Sequence, residues 1–149
     1  MVRSPPPPDE RFLEQIRSAA RRVFEGTPVF LAYVYGSRIA GSPSPDSDLD
    51  IGYYAGDPPG RGAVSLRGEM ELLDRLSREL GLEVDLRDLG PAPLELRGRI
   101  LETGMHVYSS DEVRRVDLER DILGRYHDVK EMLRRLHEER LRSIAESGL

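Results

Sequence analysis

GSRIAGSPSPDSDLD, residues 36–50, decides how this chain is read. Gly36 and Ser37 close an apolar run, and Asp48 and Asp50 open the next one. A small-residue turn lets backbone approach phosphate oxygens, and oxygen-only donors suit a hard divalent cation. If Asp48 and Asp50 share a strand they point to one face, with Cα atoms roughly 6.6 Å apart. Such a pair can hold two metal ions about 3.5–4 Å from each other. Leu49 and Ile51 then point the other way, into a core. The stretch predicts a phosphoryl- or nucleotidyl-transfer site. In it the Ser37 hydroxyl and adjacent N–H groups hold terminal phosphate oxygens. Arg38 offsets charge on a leaving pyrophosphate.

The flanks supply strands for this turn. Residues 29–35, VFLAYVY, are apolar throughout and short, as in a strand buried on both faces. Residues 49–54 read as a second strand, and Pro43 and Pro45 make 41–47 a loop. Upstream, Asp9 caps a helix running to about Glu25, with Phe12, Ile16, Ala19, Ala20 and Val23 at helical spacing. Before it, the prolines at 5–8 predict a poorly ordered lead-in over residues 1–8. Downstream, Pro and Gly make 57–62 a loop. Residues 63–80 carry Leu66, Met70, Leu72, Leu73 and Leu76 in a helix stopped by Gly81. LEVDL, residues 82–86, alternates as a half-exposed strand does. A short helix from Pro93 to Gly104 and a strand over 105–108 follow. Beyond Asp111 lies one long charged helix or a pair, with Gly124 its weakest point. Its stripe of Ile122, Tyr126, Val129, Leu133 and Leu136 is expected to pack against its own domain, the other reading being a partner surface.

The sum is a mixed α/β (α+β) domain, with a few strands covered by helices on one side. Residues 9–110 form its core and 111–149 a helical extension of the same domain. At 149 residues the chain is long enough for one core and short for two. Its formal net charge of −5 is the reverse of what a general nucleic-acid binder carries. With no cysteine, disulfides and thiolate metal sites are excluded. No apolar run approaches the roughly 20 residues of a membrane span. The first residues do not resemble a signal peptide, so a cytoplasmic location is expected.

A third carboxylate on a neighbouring strand would complete the site. Asp85, flanked by Val84 and Leu86, is the candidate. Glu83 and Asp88 compete with it. His106, His127 and His137 have no metal-ligand spacing to one another and read as surface or helix-face residues. Tyr53 and Tyr54 read as packing rather than base-stacking residues.

Gly36-Ser37, then Asp48-Leu49-Asp50, then Asp85 on a later strand resembles the polymerase β-type nucleotidyltransferase superfamily. The wording GSRIAG…DSDLDI looks like its minimal nucleotidyltransferase (MNT) group. The resemblance spans about residues 29–108. It implies a polymerase β-like fold with a helical C-terminus and ATP as substrate. It also implies two Mg2+ ions held by Asp48, Asp50 and Asp85, the catalytic residues, with Gly36, Ser37 and Arg38 on the phosphates. Members of that group typically pair with a HEPN toxin as its antitoxin, and some transfer AMP to a tyrosine of that partner. The expected activity is therefore transfer of AMP to a hydroxyl, with a HEPN protein as partner and a homo-oligomer possible in addition. The alternatives are an antitoxin that masks a HEPN ribonuclease by contact alone, or a small-molecule nucleotidyltransferase subunit of the aminoglycoside type.

Overall fold

The computed structural model describes residues 9–36, 48–60 and 62–148. The proline lead-in, Ser37 and Arg38 lie outside the described residues.

Helix α1 (Glu10–Phe24) starts where the Asp9 carboxylate accepts from the Arg11 N–H at 3.0 Å. Its inner stripe is Leu13, Ile16, Ala19, Ala20, Val23 and Phe24, with Phe12 at the margin. Strand β1 (Val29–Tyr35) is buried on both faces, as its composition predicts. Strand β2 (Leu49–Ala55) runs antiparallel to it, with Tyr35 opposite Asp50. Helix α2 (Leu66–Leu80) begins three residues later than the expected 63, because the Ser65 hydroxyl accepts from the Gly68 N–H and sets the first turn. Leu72 and Leu76 are its buried residues, whereas Leu66 and Met70 face out.

Strand β3 (Val84–Asp88) lies two residues beyond the expected 82–86. Its position is set by parallel pairing with β2, from Leu49 opposite Val84 to Tyr53 opposite Asp88. Two parallel neighbours need a crossover, which α2 provides. Helix α3 (Leu94–Thr103) and strand β4 (Met105–Ser109) follow, with β4 antiparallel to β1. The sheet order is β3-β2-β1-β4.

The sheet is covered on both faces, not one. On one side α1 and α2 pack against Val29, Ala32, Val34, Leu49, Ile51, Tyr53, Val84 and Leu86. On the other, α3 and the first turns of helix α4 (Glu112–Glu146) enclose Phe30, Tyr33, Tyr54, Leu89, Ile100 and Ile122. Burying one side chain such as Ile16 or Ile122 contributes roughly 1.5–3 kcal/mol. A strand apolar at every position requires this double cover.

Helix α4 is one unbroken element that passes straight through Gly124. Arg114 pins its start, lying 3.6 Å over the Phe30 ring centroid and donating to the Gly56 carbonyl. Tyr33 also ties it to the sheet, donating its hydroxyl to Glu119. Ile122 and Tyr126 are buried, but Val129, Leu133 and Leu136 are exposed. The expected stripe therefore packs on its own domain for its first part only. Among the described residues no helix is long and apolar enough to cross a membrane.

Candidate active site

Strand alternation divides β2 cleanly. Leu49, Ile51, Tyr53 and Ala55 enter the core under α1 and α2, which turns Asp50 to the opposite face. There Asp50 is half-buried and stands opposite Asp85, its register partner across the parallel pair. The two carboxyl groups lie close enough to share a hydrogen bond when one of them is protonated. Asp48 is exposed and sits one residue before β2 rather than within it. It belongs to the rim, not to a rigid strand face as expected. Its charge still reaches Asp50.

Gly36 ends β1 beside this pair. Its φ is +86°, which L side chains rarely adopt, and a Cβ there would collide with the Asp50 carboxylate. This close approach explains the glycine without appeal to a ligand.

The electrostatics are those of a site with excess negative charge. Asp50 is held above the ordinary carboxylate range, chiefly by burial, then by the charges of Asp85 and Asp48, then by the hydrogen bond to Asp85. The Tyr35 phenol is pushed up by burial and next by Asp50, with Arg87 opposing. Tyr35 and Arg87 thus flank the pair, and both were missed in the sequence. Their signals were there: Tyr35 directly precedes the Gly-Ser turn, and Arg87 lies two residues after Asp85 on the same strand face.

The competitors of Asp85 have other places. Asp88 pairs with Tyr53, and its Oδ1 accepts from the Gly90 N–H at 2.9 Å, closing the turn after β3. Glu83 precedes β3, and its carbonyl accepts from the Leu49 N–H at 3.0 Å. Tyr53 and Tyr54 are buried packing residues, with the Tyr53 hydroxyl donating to Glu69. His106 packs edge-on to Tyr33, and His127 lies by Glu102.

Asp50, Asp85 and Asp48 fit a hard divalent cation in donor chemistry, because a cation would relieve the charge that raises Asp50. Among the described residues, however, no three His, Cys, Asp or Glu side chains already stand close enough together to hold one. Asp50 and Asp85 face each other across the strands, and Asp48 lies at the rim.

Residues 14–113 match the family described as polymerase beta, nucleotidyltransferase. That stretch includes Gly36, Asp48, Asp50 and Asp85. No curated protein matches the sequence significantly. Solved structures do match its fold. A chain in the crystal structure of a toxin–antitoxin with AMP-PNP superposes with a TM-score of 0.60 at 20% identity, over 85% of this chain and 96% of that one. A chain from the tri-AMPylated Shewanella oneidensis HEPN toxin in complex with MNT antitoxin gives 0.56 at 18% identity, over 87% and 96%. One from the toxin–antitoxin MntA-HepT gives 0.56 at 18% identity, over 88% and 97%. At these identities the likeness is one of fold.

Proposed function

This chain belongs to the polymerase beta nucleotidyltransferase family, and from that premise we propose that it is a magnesium-dependent adenylyltransferase of the MNT group. Its acceptor is the hydroxyl of a tyrosine on a HEPN-type toxin, and the modification makes this chain the antitoxin. The observation that carries the reading is the pairing of Asp50 with Asp85 beside Gly36. The toxin–antitoxin structures sharing the fold, one with AMP-PNP and one with an AMPylated HEPN toxin, support the choice of nucleotide and partner.

Asp48, Asp50 and Asp85 would hold two Mg2+ ions, which supply charge stabilisation for the α-phosphate and the departing pyrophosphate. The chain's own part is placement and proton handling. Gly36 brings the end of β1 flush against Asp50, and Ser37 and Arg38 would hold the phosphate tail. Asp85, the exposed member of the pair, accepts the proton of the acceptor hydroxyl. The acceptor oxygen bonds to the α-phosphorus, the bond to the bridging oxygen breaks, and pyrophosphate leaves with that electron pair. Residues 9–110 would act as the transferase core and 111–149 as its extension, in the cytoplasm where ATP is supplied.

The exposed apolar positions on the distal part of α4 favour a second reading, masking of the toxin by contact alone. Labelled ATP, Mg2+ and a HEPN-type partner separate the two. Label on a partner tyrosine, lost in Asp50→Asn, supports transfer. Full protection of the partner's target by Asp48→Asn and Asp50→Asn variants, with no label in the wild type, supports masking and overturns transfer.

A further inference from the structure

The two edges of the sheet are unlike. β3, VDLRD, carries three charged residues along its edge, whereas β4, MHVYS, carries neither a charge nor a proline. Charges and prolines are the usual guards of an exposed edge, whose unpaired N–H and C=O groups otherwise recruit another strand. The register slip at Val107 bends β4 without charging it.

A groove of about 590 Å³ runs along this uncharged edge. Five consecutive residues, 106–110, line it, so its floor is the strand itself. Arg17 and Arg21 of α1, with Glu25 just past its end, rise on one side and Glu112 of α4 on the other. It shares no residue with the carboxylate site. Such a shape, open along a strand and walled from both faces, matches an added extended strand.

The walls are polarised. Glu25 lies near Tyr108 at the strand's far end, and Arg21 and Arg17 follow one and two turns back along α1. Neither arginine has an ion-pair partner among the described residues, nor does Glu25. A groove positive at one end and negative at the other complements itself when turned through a two-fold axis.

We propose that β4 is a homodimer edge: two copies pair β4 to β4 antiparallel, joining their sheets into one of eight strands. In that arrangement Arg17 and Arg21 of each copy face Glu25 of the other. The pairing supplies main-chain hydrogen bonds, and the charges fix register and orientation.

Sedimentation or light scattering on the full chain tests this with two charge-reversed variants, Arg17→Glu/Arg21→Glu and Glu25→Arg. Circular dichroism verifies that each is folded. The wild type should be a dimer and each variant alone a monomer, because like charges then meet twice. An equimolar mixture of the variants should dimerise again, because every reversed contact becomes attractive. A monomeric wild type overturns the proposal, as does a dimer that neither variant weakens. So does a monomer whose Arg17 and Arg21 resonances shift on adding inorganic phosphate, which would make the groove an anion site instead.

Discussion

Gly36 lies so close to the Asp50 carboxylate that no side-chain carbon fits between them. Two penalties therefore fall on Gly36→Ala. The residue must hold φ near +86°, costing an L residue about 1–2 kcal/mol, and its methyl must displace Asp50. Thermal unfolding should show at least that loss. Nucleotidyl transfer by the remaining folded protein should fall more than tenfold, since about 1.4 kcal/mol of lost transition-state stabilisation suffices. A folded variant with wild-type turnover would contradict this.

Asp48→Asn and Asp50→Asn should both abolish transfer, yet affect folding differently. Asp48 is exposed at the rim, so its replacement should leave stability within about 0.5 kcal/mol of wild type. Asp50 is disfavoured as a charge by burial, Asp85 and Asp48, so removing that charge should raise the melting temperature of the metal-free protein. The sign follows from linkage. A carboxyl raised in the fold contributes stability below its unfolded value near 3.8, and loses it as pH rises through its folded value. The advantage of Asp50→Asn should therefore shrink as the pH is lowered toward 4. An advantage that grows on acidification would be the wrong sign.

ATP should stabilise the chain only with a divalent cation. Asp48, Asp50 and Asp85 repel a bare triphosphate, and among the described residues no three acidic side chains stand close enough to hold an ion unaided. With Mg2+ and nucleotide at about a hundred times its dissociation constant, the gain is about 2.7 kcal/mol. Melting curves with ATP in Mg2+ and in EDTA measure it. Equal shifts in both would remove the metal from the binding step.

Much of this was legible in the residues, and the gaps have physical causes. β1 begins and ends where its apolar run does, because Gly26-Thr27-Pro28 and Gly36 bound it. β3 slipped by two residues because alternation marks a face but not where a ladder starts, and the partner strand decides that. Covering the sheet on one side was inconsistent with VFLAYVY itself, which has no polar face to leave in water. Asp85 was legible as the carboxylate that meets the site from a neighbouring strand, whereas Asp48, the expected side-by-side partner of Asp50, lies at the rim. Tyr35 and Arg87 were passed over, although Tyr35 abuts the Gly-Ser pair and Arg87 shares the alternation face of Asp85, because only the pairing of the strands brings them to Asp50. Ser37 and Arg38 lie outside the described residues.

Gly98 holds α3 against α4, because a Cβ there would run into the Tyr126 ring. Alanine is the better helix former by about 1 kcal/mol, so Gly98→Ala is a contest between propensity and packing. Overpacking a tight contact costs about 1–3 kcal/mol, and Tyr126 presents its rigid ring rather than a flexible end. Packing should win, with net destabilisation in chemical denaturation. Shortening the ring, as in Gly98→Ala/Tyr126→Leu, should recover part of the loss. A more stable Gly98→Ala would mean that the two helices separate at little cost.

The distal part of α4 should be dispensable for folding and needed for the partner. Up to Tyr126 the helix is part of the core, so ending the chain after Arg120 would remove Ile122 and Tyr126 and cost several kcal/mol. Among the described residues, ending it after Lys130 removes only exposed or half-buried ones. These include the Arg134 pairs with Glu131 and Glu138, of the kind worth under about 1 kcal/mol. What is also lost is a run of exposed apolar side chains, Met132, Leu133, Leu136, Leu141 and Ile144, on a helix no described residue covers. Apolar positions ringed by arginine and glutamate suit a surface buried only on association. The shorter chain should keep its melting temperature and its magnesium-dependent ATP binding while failing to capture a HEPN-type partner in a pull-down. Capture with unchanged affinity would place the toxin interface elsewhere, and a collapsed melting temperature would make this stretch structural.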